Sequence, residues 1–162
     1  MKSTGEVLGV SKDFSEAILK AFIGSGIQIP YSGDILITVR NKDKEEVLPL
    51  AKDFTKLGFH IYATSGTAKF LNENGVEATA IPKIWEGTES IINLIQSGKL
   101  KFIINTPTKG KQESRDGFKI RRLAVESKIP CFTALDTVQA LYNAIKEGKK
   151  EEDLDPVDII EV

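Results

Sequence analysis

From Asp34 onward, short β-branched runs alternate with stretches whose apolar residues recur every three or four positions. That alternation is the signature of right-handed βαβ units around a mostly parallel sheet. Five strands are predicted. The first, 35–39, reads Ile35, Leu36, Ile37, Thr38, Val39 and is almost continuously apolar, so it belongs at the centre of the sheet with both faces covered. The others fall at 59–63, 77–81, 102–105 and 129–132. Between the first two, Val47, Leu48, Ala51, Phe54 and Leu57 make a single apolar stripe that ends at Gly58. A short helix starts near Thr67, turns Ala68 and Leu71 inward and stops at Asn74-Gly75. A helix over 86–97 buries Ile91, Ile92 and Ile95, and two more are expected around 120–127 and 137–146. The fold class is α/β, in three layers, with helices on both faces of a five-stranded sheet.

The first thirty residues lie outside this rhythm. Asp13-Phe14-Ser15-Glu16 has the spacing of a capping box ahead of Ala17, Ile18, Ala21 and Phe22, and Gly24-Ser25-Gly26 ends that helix before Pro30. An apolar-faced helix that precedes the sheet is the expected remnant of a neighbouring domain. The boundary is therefore drawn between 1–30 and 31–162, with more chain expected upstream. Residues 157–160 form either an edge strand or part of a loose acidic tail.

Composition narrows the classes of function. With 162 residues, 41% of them hydrophobic, the chain closes one sizeable core. Its 22 basic and 23 acidic residues nearly cancel, so no global field favours nucleic acid. The single cysteine, Cys131, sits in the apolar context Ile129-Pro130-Cys131-Phe132, which suits a packed thiol in a reducing compartment better than a disulfide or zinc site. No apolar run approaches membrane-spanning length. A soluble cytoplasmic protein without nucleic-acid or membrane partners is expected.

In open parallel sheets, ligands bind beyond the carboxyl ends of the strands, where helix N-termini present unpaired amides. Ala63-Thr64-Ser65-Gly66-Thr67 runs from a strand straight into a helix, with the composition of a phosphate cradle. The alternative is that Ser65 or Thr67 merely caps the helix. The loop 40–44, Lys83 and the stretch 105–111 should reach the same rim. Lys44 and Lys83 stand at element junctions facing Thr64 and Thr67, whereas Lys42, Lys109 and Lys111 taken singly read as solvated charges. Asn105 ends an apolar strand and either reads a base or ribose edge or caps the loop behind it. Asp116 either meets a sugar hydroxyl or caps the helix that follows. Trp85 lines a pocket or packs. The only histidine, His60, lies inside a strand, so no histidine-based triad or metal cluster assembles. Neither a dinucleotide fingerprint after the first strand nor a nucleoside-triphosphate loop occurs. A phosphate site without catalytic machinery points to sensing.

Ser3-Thr4-Gly5-Glu6-Val7-Leu8-Gly9, Thr38-Val39-Arg40, Ala63-Thr64-Ser65-Gly66-Thr67, Ile103-Ile104-Asn105-Thr106 and Ile120-Arg121-Arg122 resemble the C-terminal part of carbamoyl-phosphate synthetase large subunits, over essentially the whole chain. In that family the Ser-Thr-Gly-Glu-Val segment closes the second ATP-grasp synthetase unit. The regulatory domain after it has the methylglyoxal synthase-like fold, a five-stranded parallel sheet flanked by helices. The resemblance implies an allosteric domain with no catalytic residue, metal or cofactor of its own. Bacterial members bind nucleotide monophosphates there, uridine monophosphate (UMP) inhibiting and inosine monophosphate (IMP) occupying the same site, while ornithine activates from a neighbouring interface. Lys44, Thr64, Thr67 and Lys83 match the phosphate-binding positions, with Ser65 and Gly66 in the same turn. Thr38 takes the place of a serine near the nucleotide, Asn105 lies on the base- and ribose-contacting loop, and Asp116 falls at a sugar contact. The chain departs from the pattern at Pro107, which replaces a threonine-like residue in a longer loop, so Thr108 substitutes for it. Thr133 resembles a position at the ornithine interface.

The resemblance also implies a parent enzyme. It makes carbamoyl phosphate from bicarbonate, glutamine-derived ammonia and ATP, for pyrimidine and arginine biosynthesis, with Mg2+ and K+. Its partners are the upstream synthetase domains and a small glutaminase subunit. The competing reading is a methylglyoxal synthase-like lyase acting on dihydroxyacetone phosphate, which shares the fold and a Thr-Gly-Thr loop. Such an enzyme has aspartates and a histidine around the phosphate. Here Ile84-Trp85-Glu86-Gly87 follows Lys83, leaving Glu86 as a lone general base or a first-turn helix acid. A third reading is a structural or oligomerisation domain whose phosphate loop stays empty.

Overall fold

The computed structural model describes residues 6–82, 90–107 and 116–158. The chain divides into two compact units, Ser32–Val138, and Met1–Tyr31 together with Gln139–Val162. In chain order the elements are α1 (Phe14–Gly24), β1 (Gly33–Thr38), α2 (Lys44–Lys56), β2 (Phe59–Thr64), α3 (Ser65–Glu73), β3 (Ala78–Ile81), α4 (Ser90–Gln96), β4 (Leu100–Asn105), α5 (Asp116–Glu126), β5 (Cys131–Phe132) and α6 (Leu135–Glu147). Two 3-10 turns, Asn41–Asp43 and Glu151–Asp153, complete the set.

In the first unit the five strands pair in the order β3-β2-β1-β4-β5, every pair parallel. The continuously apolar β1 is central, as its composition requires: Ile35, Leu36 and Ile37 are fully buried. Successive residues of a strand face opposite sides of the sheet. Leu36 and Ile103 meet Ile91 and Ile95 of α4 and Ile120 and Ala124 of α5, with Tyr62, Ile81 and Cys131 packed at the margin. On the other side, Phe54 of α2, Phe59 of β2 and Phe102 of β4 pack as a ring cluster, with centroids 5.3 to 5.9 Å apart, and Phe132 of β5 joins Phe102 at 5.8 Å. Edge-to-face and tilted geometries of this kind add to the burial itself. His60 is a strand residue, exposed, with Nε2 3.0 Å from Thr79 Oγ1 and its ring against Tyr62. Cys131 is half-buried, and burial pushes its thiol up to about 11 despite the nearby charge of Arg121.

Where α3 ends, Gly75 takes φ +78 and the Val76 N–H returns to the Leu71 carbonyl at 2.9 Å, the hydrogen bond that a left-handed cap makes possible. The end of α5 uses the same geometry with Lys128 at φ +55, and the Ile129 N–H reaches the Ala124 carbonyl at 2.8 Å.

In the second unit, α1 buries Leu19 and Phe22. Half of the expected capping box is present: Asp13 Oδ1 accepts from the Glu16 N–H at 2.9 Å. The reciprocal half is not, because the Asp13 N–H donates to Ser11 Oγ and Glu16 is drawn to two ammonium groups. Lys20 at 2.9 Å and Lys149 at 3.0 Å hold the Glu16 carboxyl down to about 2, against the opposing effect of burial. Lys20 also donates to the Asp155 carbonyl, and the Tyr31 hydroxyl to that of Lys149. The edge strand considered for 157–160 does not form at Val157 and Asp158; Val157 is exposed, and 159 and 160 lie outside the described residues. Among the described residues no helix is long and apolar enough to cross a membrane.

Candidate functional site

Among the described residues, the buried polar side chains are Asp43, Thr64, Thr67, Asn105 and Thr106, and each stands at the carboxyl-terminal rim of the sheet. Burying polar groups is costly unless they are satisfied, so their collection on one rim marks it as built rather than incidental.

The β2–α3 turn supplies the first part. Thr64 is the N-cap of α3, in extended backbone, and its side chain makes no capping hydrogen bond. Ser65 and Thr67 stand inside the first turn, so neither takes the capping position considered from sequence. Ser65 and Gly66 are exposed, Thr67 only 1%. The first-turn amides are thus uncapped at the positive end of a helix with no acidic residue in that turn. Thr64 Oγ1 lies 3.4 Å from Thr67 Oγ1, the long limit for such a bond, which leaves both hydroxyls free to bond more strongly elsewhere. Lys44, the first residue of α2, donates from Nζ to the Gly66 carbonyl at 2.7 Å. Its ammonium lies 5.9 Å from the Phe70 ring centroid and forms no ion pair among the described residues. A free ammonium, uncapped amides and two hydroxyls in one turn are a receptor for a phosphate-sized anion.

A salt-bridged strut holds Lys44 in place. Arg40 clasps Asp43 through Nε at 2.6 Å and Nη2 at 3.0 Å, a bidentate pair. The Arg40 N–H donates to Thr106 Oγ1 at 3.0 Å, and the Thr106 hydroxyl bonds the Asp43 carboxylate. Burial opposes ionisation of Asp43, but the hydrogen bonds from Arg40 and Thr106 and the charges of Arg40 and Lys42 outweigh it and keep the carboxyl below its ordinary value. From sequence, Arg40 and Asp43 belong to the polar loop 40–44 and Thr106 to the separate stretch 105–111, and nothing there pairs them. The visible signal was an Arg-x-x-Asp spacing at a loop entering a helix.

The third part lies two strands away. Asn105 ends β4, level with Thr38 at the end of β1, and Thr38 is half-buried. Asn105 is 1% exposed, and its Oδ1 accepts from Arg121 Nη1 of α5 at 2.6 Å. The amide oxygen is thereby taken by Arg121. Asp116 opens α5, half-buried, and the neighbouring Gly117 packs against the pair: a Cβ there would meet the Asn105 amide atoms and Arg121 Nη1 at 3.5 Å, an ordinary contact. In the sequence Arg121 stands out only within the family-like Ile120-Arg121-Arg122 run, and the structure gives it Asn105 as a partner. Thr133 is exposed beyond β5. Phe132 before it pairs with Ile104, so Thr133 stands about one strand spacing, roughly 5 Å, beyond Asn105 and three, about 14 Å, from the β2 turn. Lys83, Trp85, Glu86, Thr108, Lys109 and Lys111 lie outside the described residues. Among the described residues no group of three or more His, Cys, Asp or Glu could hold a metal ion.

Comparison with known proteins gives this geometry a family. The profile of the MGS-like domain matches residues 46–133. The chain is 41% identical over 162 residues to the carbamoyl phosphate synthase large chain of Lachnoclostridium phytofermentans, covering all of this chain and 15% of that protein. It is 45% identical over 150 residues to the C-terminal section of that large chain from Aquifex aeolicus, covering 93% of this chain and 28% of the relative. The large chain of Agathobacter rectalis is 44% identical over 163 residues. The chain thus spans well under a third of the length of these relatives. Among solved structures, the methylglyoxal synthase of Elizabethkingia anophelis superposes with a TM-score of 0.56 at 18% identity, over 78% of this chain and 83% of the synthase. ForH superposes with a TM-score of 0.53 at 17% identity, over 72% of this chain and 81% of its own. Both show the shared fold. With more than half of its residues inside the family profile and its parallel sheet ordered as described, the chain belongs to the MGS-like domain family.

Proposed function

We propose that this chain is the effector-binding domain of a carbamoyl phosphate synthase large chain, and that the rim of its sheet holds a nucleoside monophosphate. The observation that carries this reading is the uncapped N-terminus of α3 beside the unneutralised Lys44 ammonium, with the Thr64 and Thr67 hydroxyls between them. A dianionic phosphate supplies the acceptors and the negative charge that such a turn lacks. Lys83 adds a second cation in this reading. Thr38, Asn105, Thr108 and Asp116 face the ribose and base, and UMP or IMP is the effector. Thr133, on the outer strand β5 about one strand spacing from Asn105, belongs in this reading to the ornithine-responsive interface. Mg2+, K+ and ATP serve the synthetase units of the parent ligase, which also engages the small glutaminase subunit, in the cytoplasm. Occupancy biases how this domain is held against those units, and by reciprocity substrate binding must change effector affinity by the same factor.

Calorimetric titration with UMP, IMP and dihydroxyacetone phosphate tests the proposal, on the chain as it stands and on the Lys44→Ala, Thr67→Ala double variant. Saturable nucleotide binding that weakens about a hundredfold in the variant is expected, since two strong polar contacts are removed. Turnover of dihydroxyacetone phosphate with no nucleotide binding would make the chain a lyase. Silence with all three ligands would leave a structural domain.

A further inference from the structure

Asn105 is 1% exposed, and its one hydrogen bond among the described residues comes from Arg121 Nη1, at 2.6 Å to Oδ1. A guanidinium has donors and no acceptor, so it can face only the oxygen of the amide. The amide cannot turn over without setting its NH2 against a cation. Its two N–H groups are therefore fixed as donors pointing away from Arg121, and no described residue accepts from them. No buried side-chain nitrogen or oxygen among the described residues lacks a partner, so the amide nitrogen keeps contact with solvent, and a ligand acceptor takes the place of water there.

The place of this amide in the sheet says what it reads. Asn105 pairs level with Thr38 on β1, and β1 lies between β4 and β2, whose last residue is Thr64 of the anion cradle. Two strand spacings put the amide about 10 Å from the cradle. That is beyond the reach of a bound phosphate group and within the span of a phosphate ester with a sugar or ring attached. We infer that Arg121 is a positioning residue that locks Asn105 as a hydrogen-bond donor, so that the site selects phosphate esters whose body carries an oxygen or ring-nitrogen acceptor about 10 Å from the phosphorus. This inference rests on the reading of the rim as a phosphate-ester site and adds its specificity. A hydroxyl or carbonyl oxygen meets the requirement; an ammonium or another pure donor does not.

The test uses the whole chain with two probes, UMP and orthophosphate, in four forms: unchanged, Arg121→Ala, Arg121→Lys and Asn105→Ala, with the Arg121→Ala, Asn105→Ala double variant closing a cycle. Arg121→Ala should weaken UMP about tenfold and leave orthophosphate within about twofold, because only the ester body meets Asn105. Arg121→Lys, which still donates to Oδ1, should recover most of the loss. In the Asn105→Ala background, Arg121→Ala should have no further effect, since it acts through the missing amide. Equal weakening of both probes, or effects of Arg121 and Asn105 that simply add, would overturn the assignment while leaving the phosphate cradle intact. A chain that binds neither probe in its unchanged form would remove the phosphate reading and this inference together.

Discussion

Asp43 and Lys44 bring opposite charges into one turn, and among the described residues only the first meets an opposite charge. Asp43 is 6% exposed and is met by Arg40 and Thr106, while Lys44 finds a carbonyl. One residue is thereby committed to holding the turn and the other remains available to a ligand. Asp43→Asn should lower stability by about 1–2 kcal/mol, less than a fully buried pair would lose, because Arg40 can rehydrate. The pH dependence has a definite sign. The folded carboxyl lies below its ordinary value, so its contribution is complete above the unfolded value of about 4 and disappears as the pH falls through and below it. Urea titrations between pH 3 and 7 should show the parent chain losing more stability on acidification than the variant; parallel curves would refute the strut. Much of this residue-level picture was legible beforehand for one reason. Thr64 and Asn105 end strands, and Lys44 and Thr67 fall in the first turns of the helices that follow; strand ends and helix starts can both be read from apolar runs. Arg40 with Thr106 could not be read in that way, because they are 66 positions apart and meet only once β1 and β4 pair. Arg121 was hidden for the same reason, 16 positions from its partner and on a different element.

At the scale of elements, sequence periodicity located every strand and helix of the described chain but misplaced several ends. Helix α3 begins at Ser65 rather than near Thr67, because Thr64 keeps extended backbone and releases the next residues to the helix. Serine and threonine are read as caps by propensity, and here the strand before them takes the cap position instead. Helix α5 starts at Asp116, ahead of the apolar stripe by which it was recognised, since periodicity marks only the turns that bury a face. Its other end carries a local cost. Lys128 adopts φ +55, a conformation that crowds a Cβ, and its side chain is exposed. Lys128→Gly should keep the bond from the Ile129 N–H to the Ala124 carbonyl and relieve that crowding, for a gain of roughly 0.5–1 kcal/mol. A rise in the urea midpoint at unchanged slope would show it; a fall would mean that the lysine side chain contributes something the backbone geometry does not reveal.

For the whole molecule, the consequence of the site is thermodynamic linkage. A ligand that binds only the folded state stabilises it by about 2.7 kcal/mol when present at a hundred times its dissociation constant. For a chain of this length that corresponds to a rise of roughly 5–10 °C in the melting temperature. All of the rim residues described, from Thr38 to Arg121, belong to the Ser32–Val138 unit, so the gain must appear in the transition that melts the five-stranded sheet. Calorimetric scans with UMP should raise that transition, and scans with uridine at the same concentration should not. Uridine keeps the acceptors that Asn105 would read but lacks the charge that the α3 N-terminus and Lys44 are arranged to meet. Lys44→Ala should blunt the UMP shift while scarcely moving the melting of the free chain, because the lysine is partly exposed and in no ion pair among the described residues. An equal shift with uridine would place the binding energy in the nucleoside half of the site, and the helix terminus would then be a feature of the fold with no part in recognition.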